Sequence, residues 1–147
     1  MTGQAAGRAW PSGAPPQAPE GLHWELHDVA ELPRMRAEVR RHVEDRALTG
    51  DARGADLRDQ LVLALDEMAS NALRHGGGRV RASIRLTDRS YLIEVSDAAS
   101  SSPPTPAVGR DPSEGGLGLY LIAELASDHG WYVRNSDKHV WALLPRG

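Results

Sequence analysis

Apolar and polar positions change period several times along the chain, and each change predicts an element. The run Leu22–Leu26 reads as a short strand bounded by polar residues. From about Pro33 to Leu48 the apolar positions Met35, Val39 and Val43 recur at the spacing of one helix face, and Pro33 falls in the first turn, where a missing N–H costs least. Gly50 and Gly54 mark the loop Thr49–Ala55. A second helix is predicted from about Leu57 to His75, capped by Asp56 and ended by the run Gly76–Gly78. The pattern then switches to period two. Val80, Ala82, Ile84 and Leu86 alternate with Arg79, Arg81, Ser83 and Arg85, which predicts a strand with one buried and one wet face. Thr87–Ser90 makes the turn and Tyr91–Asp97 the returning strand. Residues 98–114 are a loop of Ser, Pro and Gly, and a loop of that length inside a compact domain is usually functional or disordered. A third helix is predicted from Gly116–Leu119 to about Asp128, with Leu117, Leu121, Ile122 and Leu125 apolar and Gly130 ending it. Trp131–Arg134 and His139–Leu144 are two final strands around the turn Asn135–Lys138. Strand, two helices, hairpin, helix, hairpin is the order of an α+β two-layer sandwich.

Residues 1–20, rich in Ala, Gly and Pro and without periodicity, predict a disordered tail outside the fold, which leaves residues 21–147 as the domain. A chain of 147 residues with 40% hydrophobic content can bury one real core. The net charge of −3 and the scattered arginines argue against a nucleic-acid or membrane partner. The absence of cysteine removes disulfides, thiolate zinc sites and cysteine nucleophiles together. No apolar run approaches the length of a membrane span, and no signal-peptide stretch opens the chain, so a cytoplasmic protein is the expectation.

The chemistry concentrates in LALDEMASNALRHGGG. With Glu67 at zero on a helical wheel, Asn71 lies about 40° round, whereas Leu65, Met68, Ala69 and Ala72 cluster at about 100–200°. The carboxylate and the amide therefore border the apolar stripe. An acid and a neutral oxygen donor on adjacent turns suit a hydrated magnesium ion, which takes few protein ligands and leaves the rest to phosphates. Asp97 ends a strand on the face of Tyr91, Ile93 and Val95; it either caps the following loop or accepts a hydrogen bond from a buried base. The run Glu114-Gly-Gly-Leu-Gly-Leu119 opens a helix, where glycines let phosphate approach free N–H groups. His23 and His27 lack the His-Glu adjacency of a zinc protease, Ser100–Ser102 lacks a triad, and His75 is explained by its place at a helix C-terminus, where a histidine is well tolerated.

Taken in order, Glu-x-x-x-Asn on a helix, Asp at a strand end, a long loop and a glycine-rich helix start resemble the GHKL (histidine-kinase-like) ATPase superfamily. The resemblance spans about Leu22 to Leu144. Asp66-Glu67-Met68-Ala69-Ser70-Asn71-Ala72 looks like its N box, and Gly115-Gly116-Leu117-Gly118-Leu119 like its second glycine box. Lys138-His139-Val140-Trp141 looks like the last strand of the small anti-sigma regulatory factors with serine/threonine kinase activity.

The resemblance implies a Bergerat-type sandwich, with a mixed, mostly antiparallel sheet covered on one face by three helices. It implies ATP and Mg²⁺ as cofactors, Asn71 as metal ligand and Glu67 as general base. Asp97 would bind the adenine amino group, and Gly116, Leu117, Gly118 and Leu119 the phosphates. It further implies a sigma factor or an antagonist protein as partner, and pairing into homodimers. Two departures stand out. Asp97 is followed by Ala98-Ala99-Ser100-Ser101-Ser102-Pro103-Pro104 rather than alternating glycines, and His139 stands where many relatives carry Thr near the base.

Overall fold

The computed structural model describes residues 10–18, 21–45, 52–75, 79–99 and 117–145. In chain order these form β1 (Gly21–Leu26), α1 (Leu32–Asp45), α2 (Ala52–His75), β2 (Val80–Leu86), β3 (Ser90–Asp97), α3 (Leu117–Leu125), β4 (Asp128–Arg134) and β5 (Asp137–Pro145). The five strands make one sheet in the order β1-β2-β3-β5-β4. All four ladders are antiparallel, and the parallel component is an isolated bridge between Ser12 and Trp131. The result is an α+β sandwich with the three helices sharing one core on one face of the sheet.

Period two sorts the strands as expected. Val80, Ala82 and Ile84 of β2, Tyr91, Ile93 and Val95 of β3, and Val140, Ala142 and Leu144 of β5 are buried on the helix side. Leu61, Leu65, Met68, Ala69 and Ala72 of α2 meet them, and fully burying each large apolar side chain contributes about 1.5–3 kcal/mol. Met35, Val39 and Val43 of α1 join the same core, and Arg36 of α1 pairs with Asp66 of α2 at 2.7 Å. A 3-10 turn, Val29–Glu31, leads into α1. Its start is a capping box: the Ala30 N–H donates to Asp28 Oδ1 (2.8 Å), and the Asp28 N–H to Glu31 Oε1 (2.9 Å).

The structure differs from the expectation at several points. Helix α2 begins at Ala52, so Asp56 lies inside it and is not its cap. In α3 the buried positions are Leu119 and Ile122, while Leu121 and Leu125 are exposed, because this short helix turns a narrower face to the core than its composition suggests. Strand β4 begins at Asp128, which puts Gly130 within a strand rather than at a helix end. Its hairpin to β5 turns at Asn135 and Ser136, both at positive φ (52° and 69°), the backbone that matches strand twist in two-residue hairpins. The glycine run Gly76–Gly78 lies outside the described residues.

The largest difference is in residues 10–18, expected as tail. Trp10 is 3% exposed within the main core, and its ring meets His129 edge-on at 4.8 Å. The Trp131 N–H donates to Pro11 O (3.0 Å) and the Gly13 N–H to Trp131 O (2.8 Å), so the segment runs along the free edge of β4. It then passes to the opposite face, where Trp141 Nε1 donates to Gly13 O (2.8 Å) and Ala18 packs with Leu92 and Trp141. One tryptophan and a few backbone bonds outweigh a composition that reads as unstructured. Residues 1–9 and 19–20 lie outside the described residues.

Gly130 makes this wrapping possible. A Cβ there would stand 2.9 Å from Pro11 O and 3.0 Å from the Trp141 ring. Gly130→Ala is therefore expected to lower the unfolding free energy by about 1–3 kcal/mol in urea titration, as overpacking does, and to speed proteolysis within residues 10–18.

Candidate functional site

Helix α2 carries the first part of the site. Its exposed side chains include Leu63 and Arg74, and its buried stripe runs through Leu61, Leu65, Met68, Ala69 and Ala72. Glu67 and Asn71 are both half-buried, on the border between these two faces. They sit where side chains can turn from the core edge toward a ligand without leaving the shelter of the fold.

The second part comes from β3. Asp97 ends the strand at 3% exposure and lies on the helix side by its register with Tyr91, Ile93 and Val95. Two groups already engage its carboxylate. Oδ1 accepts the Ala99 N–H at 2.7 Å, closing a turn of the following loop, and Oδ2 lies 3.7 Å from Lys138 Nζ. Lys138 stands opposite Asp97 in the β3–β5 ladder. The loop-capping role leaves room for a base-binding one, because each oxygen of an ionised carboxylate can accept a second hydrogen bond.

His139 proves to be elsewhere. Strand alternation turns it to the face away from the helices, so the residue of β5 beside Asp97 is Lys138 and not its neighbour.

Helix α3 packs beside α2 and on β5. Leu117 and Gly118 are its first residues, while the Leu119 side chain is 4% exposed in the common core. Leu119 can meet a phosphate only through its backbone. Gly116 lies outside the described residues, as does most of the loop that precedes α3.

The donor set fits a magnesium nucleotide. One carboxylate and one amide on adjacent turns are too few to cage a metal alone, and Mg²⁺ keeps waters and phosphates as its other ligands. Asp97 offers a buried carboxylate, suited to an amino group rather than to a phosphate.

A family model described as a histidine kinase-like ATPase domain matches residues 27–143. The chain belongs to that family. No curated protein matches it. The matched span of this histidine kinase-like ATPase domain contains α1 to α3 and the Glu67, Asn71 and Asp97 positions. Among the described residues no helix is long and apolar enough to cross a membrane.

The ATPase domain also holds a polar group that sequence reasoning missed. On the sheet face away from the helices, Glu94 Oε2 accepts a hydrogen bond from Tyr132 O–H at 2.6 Å and lies 2.8 Å from His139 Nδ1. The Tyr132 and His139 rings stack at 4.6 Å, and Arg134 lies over the Tyr132 ring at 5.7 Å. Separations of 38 and 45 residues link these partners to Glu94, so no local motif announces them.

Burial alone would raise the Glu94 pKa, but the hydrogen bonds from His139 and Tyr132 outweigh it and hold the carboxyl below its ordinary 4.5. Burial and the Glu94 carboxylate together push the Tyr132 phenol well up. A depressed acid stabilises the fold above its unfolded pKa and loses that contribution as pH falls through the folded value. Stability should therefore decline as pH drops below 4.5. Glu94→Gln is expected to flatten this decline and to cost about 1.5–3 kcal/mol at neutral pH. Urea titrations of both proteins across this pH range would check it.

Proposed function

We propose that this chain binds Mg-ATP and acts on a protein partner in transcriptional regulation, as anti-sigma serine/threonine kinases do. The observation that carries the reading is the pair Glu67 and Asn71, side by side on the border of the α2 stripe in a histidine kinase-like ATPase domain. Asn71 would hold the metal, which when bound neutralises the charge of the phosphates. Asp97 would receive the amino group of the base at Oδ2, and the backbone at Gly116–Leu119 would receive the phosphates at the positive end of α3. Glu67 would accept the proton of a serine or threonine hydroxyl on the partner as that oxygen takes the γ-phosphoryl group from ATP. Phosphoryl transfer depends chiefly on positioning and charge neutralisation, so this small set suffices. The partner chemistry is that of a sigma factor, an antagonist protein, or both.

A second reading is a module that occupies its partner without catalysis. The engagement of Asp97 by the Ala99 N–H and Lys138, and the absence of glycine directly after Asp97, favour it. Glu67 separates the two readings, because nucleotide binding alone does not need a base there.

Titration with a fluorescent ATP analogue should give saturable, Mg²⁺-dependent binding. Asn71→Ala is expected to abolish the magnesium dependence. Asp97→Asn should weaken binding by about 10- to 150-fold, the loss of one charged hydrogen bond. Glu67→Ala should spare binding and lower phosphoryl transfer by about 10²–10⁴-fold. Binding without measurable transfer in the unmutated protein would select the second reading; no saturable binding at all would defeat the first.

A further inference from the structure

The sheet face opposite the helices is divided by the register into an apolar end and a polar end. Leu92, Trp141 and Leu143 form the apolar end, which Ala18 of the N-terminal segment covers. The polar end is built from two rungs that cross the strands. His23, Ser83 and Glu94 are paired in one, and Arg81, Ser96 and His139 in the next. Arg85 lies two residues beyond Ser83 on the same side of β2, about 6.6 Å further along the strand. Together these residues line a cavity of about 360 Å³, within the size range of small-ligand pockets.

The cavity offers donors in excess of acceptors. Arg81 and Arg85 are exposed at its rim. Among the described residues the ion pairs engage Arg34, Arg36, Arg58, Arg79, Lys138 and His139, and neither Arg81 nor Arg85 is one of them. The carboxylate nearest Arg81 in the ladder, Glu25, is taken up by Arg79 at 3.3 Å. Ser83 and Ser96 are 8% and 6% exposed, so both hydroxyls belong to the floor of the cavity.

Among the described residues Glu94 is the one acid in the lining; Tyr132 and His139 hydrogen-bond its carboxylate, and Arg85 acts on it through charge without an ion-pair contact, so both guanidinium forks keep their donors for a ligand. With Nδ1 of His139 so engaged, Nε2 is the ring nitrogen left for a ligand. Two guanidinium forks, two buried hydroxyls and two imidazoles exceed what a carboxylate can accept, whereas the three terminal oxygens of a phosphate monoester can use them. Guanidinium groups bind such oxygens in bidentate fashion.

We infer that this cavity, on the face of the sheet opposite the nucleotide site, binds a phosphate monoester between Arg81, Arg85, Ser83, Ser96 and His139. The ester belongs either to a phosphorylated side chain of a protein or to a small phosphorylated molecule. The assignment does not rest on ATP binding, because none of its residues lies on α2 or α3 and those on β3 face away from Asp97.

The test is a backbone-amide NMR titration of the full chain with inorganic phosphate, with a phosphoserine peptide, and with the same peptide carrying glutamate instead. Phosphate should saturably shift the amides of Arg81–Arg85 and Glu94–Ser96. The exposed pair Arg81→Gln/Arg85→Gln should weaken this binding by at least about tenfold. Asn71→Ala should leave it unchanged, and thermal melts should show both variants folded. A phosphoserine peptide that binds more tightly than phosphate assigns the site to a protein side chain, and one that does not assigns it to a small phosphate. The proposal is overturned if the glutamate peptide binds as tightly as inorganic phosphate does, if the arginine pair variant keeps full affinity for phosphate, or if the phosphate shifts are unsaturable or fall on α2.

Discussion

The packing of α2 against β3 sets the positions of everything else in the molecule. Leu65, Met68, Ala69 and Ala72 meet Ile93 and Val95 in one core, and the alanines let the helix lie close to the strand. Once that stripe is buried, helical geometry leaves no freedom in where Glu67 and Asn71 stand, since both follow from the rotation of the helix about its axis. The end of the same strand supplies Asp97. The two halves of the candidate nucleotide site are thus held by one apolar contact.

Strand β3 also carries a buried acid on each face. Asp97 on the helix side meets Lys138, and Glu94 on the other side meets His139 and Tyr132. Consecutive residues of β5 answer consecutive needs, because period-two alternation sends Lys138 and His139 to opposite faces. A one-residue slip of this ladder would part Asp97 from Lys138 and Glu94 from His139, and a buried charge that loses its partner costs several kcal/mol. The two acids pin the register as firmly as the core does.

The local pattern made much of this legible. The α2 wheel, the alternation of β2 and the order of elements are properties of neighbouring residues, and neighbours are what a sequence displays. Asp56 misled because a good capping residue is also tolerated within a helix that starts a turn earlier. Leu121 and Leu125 misled because apolar composition does not say which side of a short helix is covered. Glu94, Tyr132 and His139 come from three separate strands, and their meeting is decided by sheet order, which no spacing encodes. Trp10 was hidden by its company: a segment of Ala, Gly and Pro gives no periodicity, yet a single large ring can anchor it. The loop between β3 and α3, on which the glycine residues of the site depend, lies mostly outside the described residues.

The wrapping of Pro11–Gly13 round β4 leaves the sheet with unlike flanks. On that side the peptide groups of Trp131 are already spoken for, so a foreign strand arriving there must first peel the chain's own beginning away. On the β1 side no such toll applies within the described residues, where β1 pairs with β2 alone. Growth of the sheet by recruitment of a neighbouring polypeptide is thereby steered to a single border, the one furthest from the anchored tryptophan.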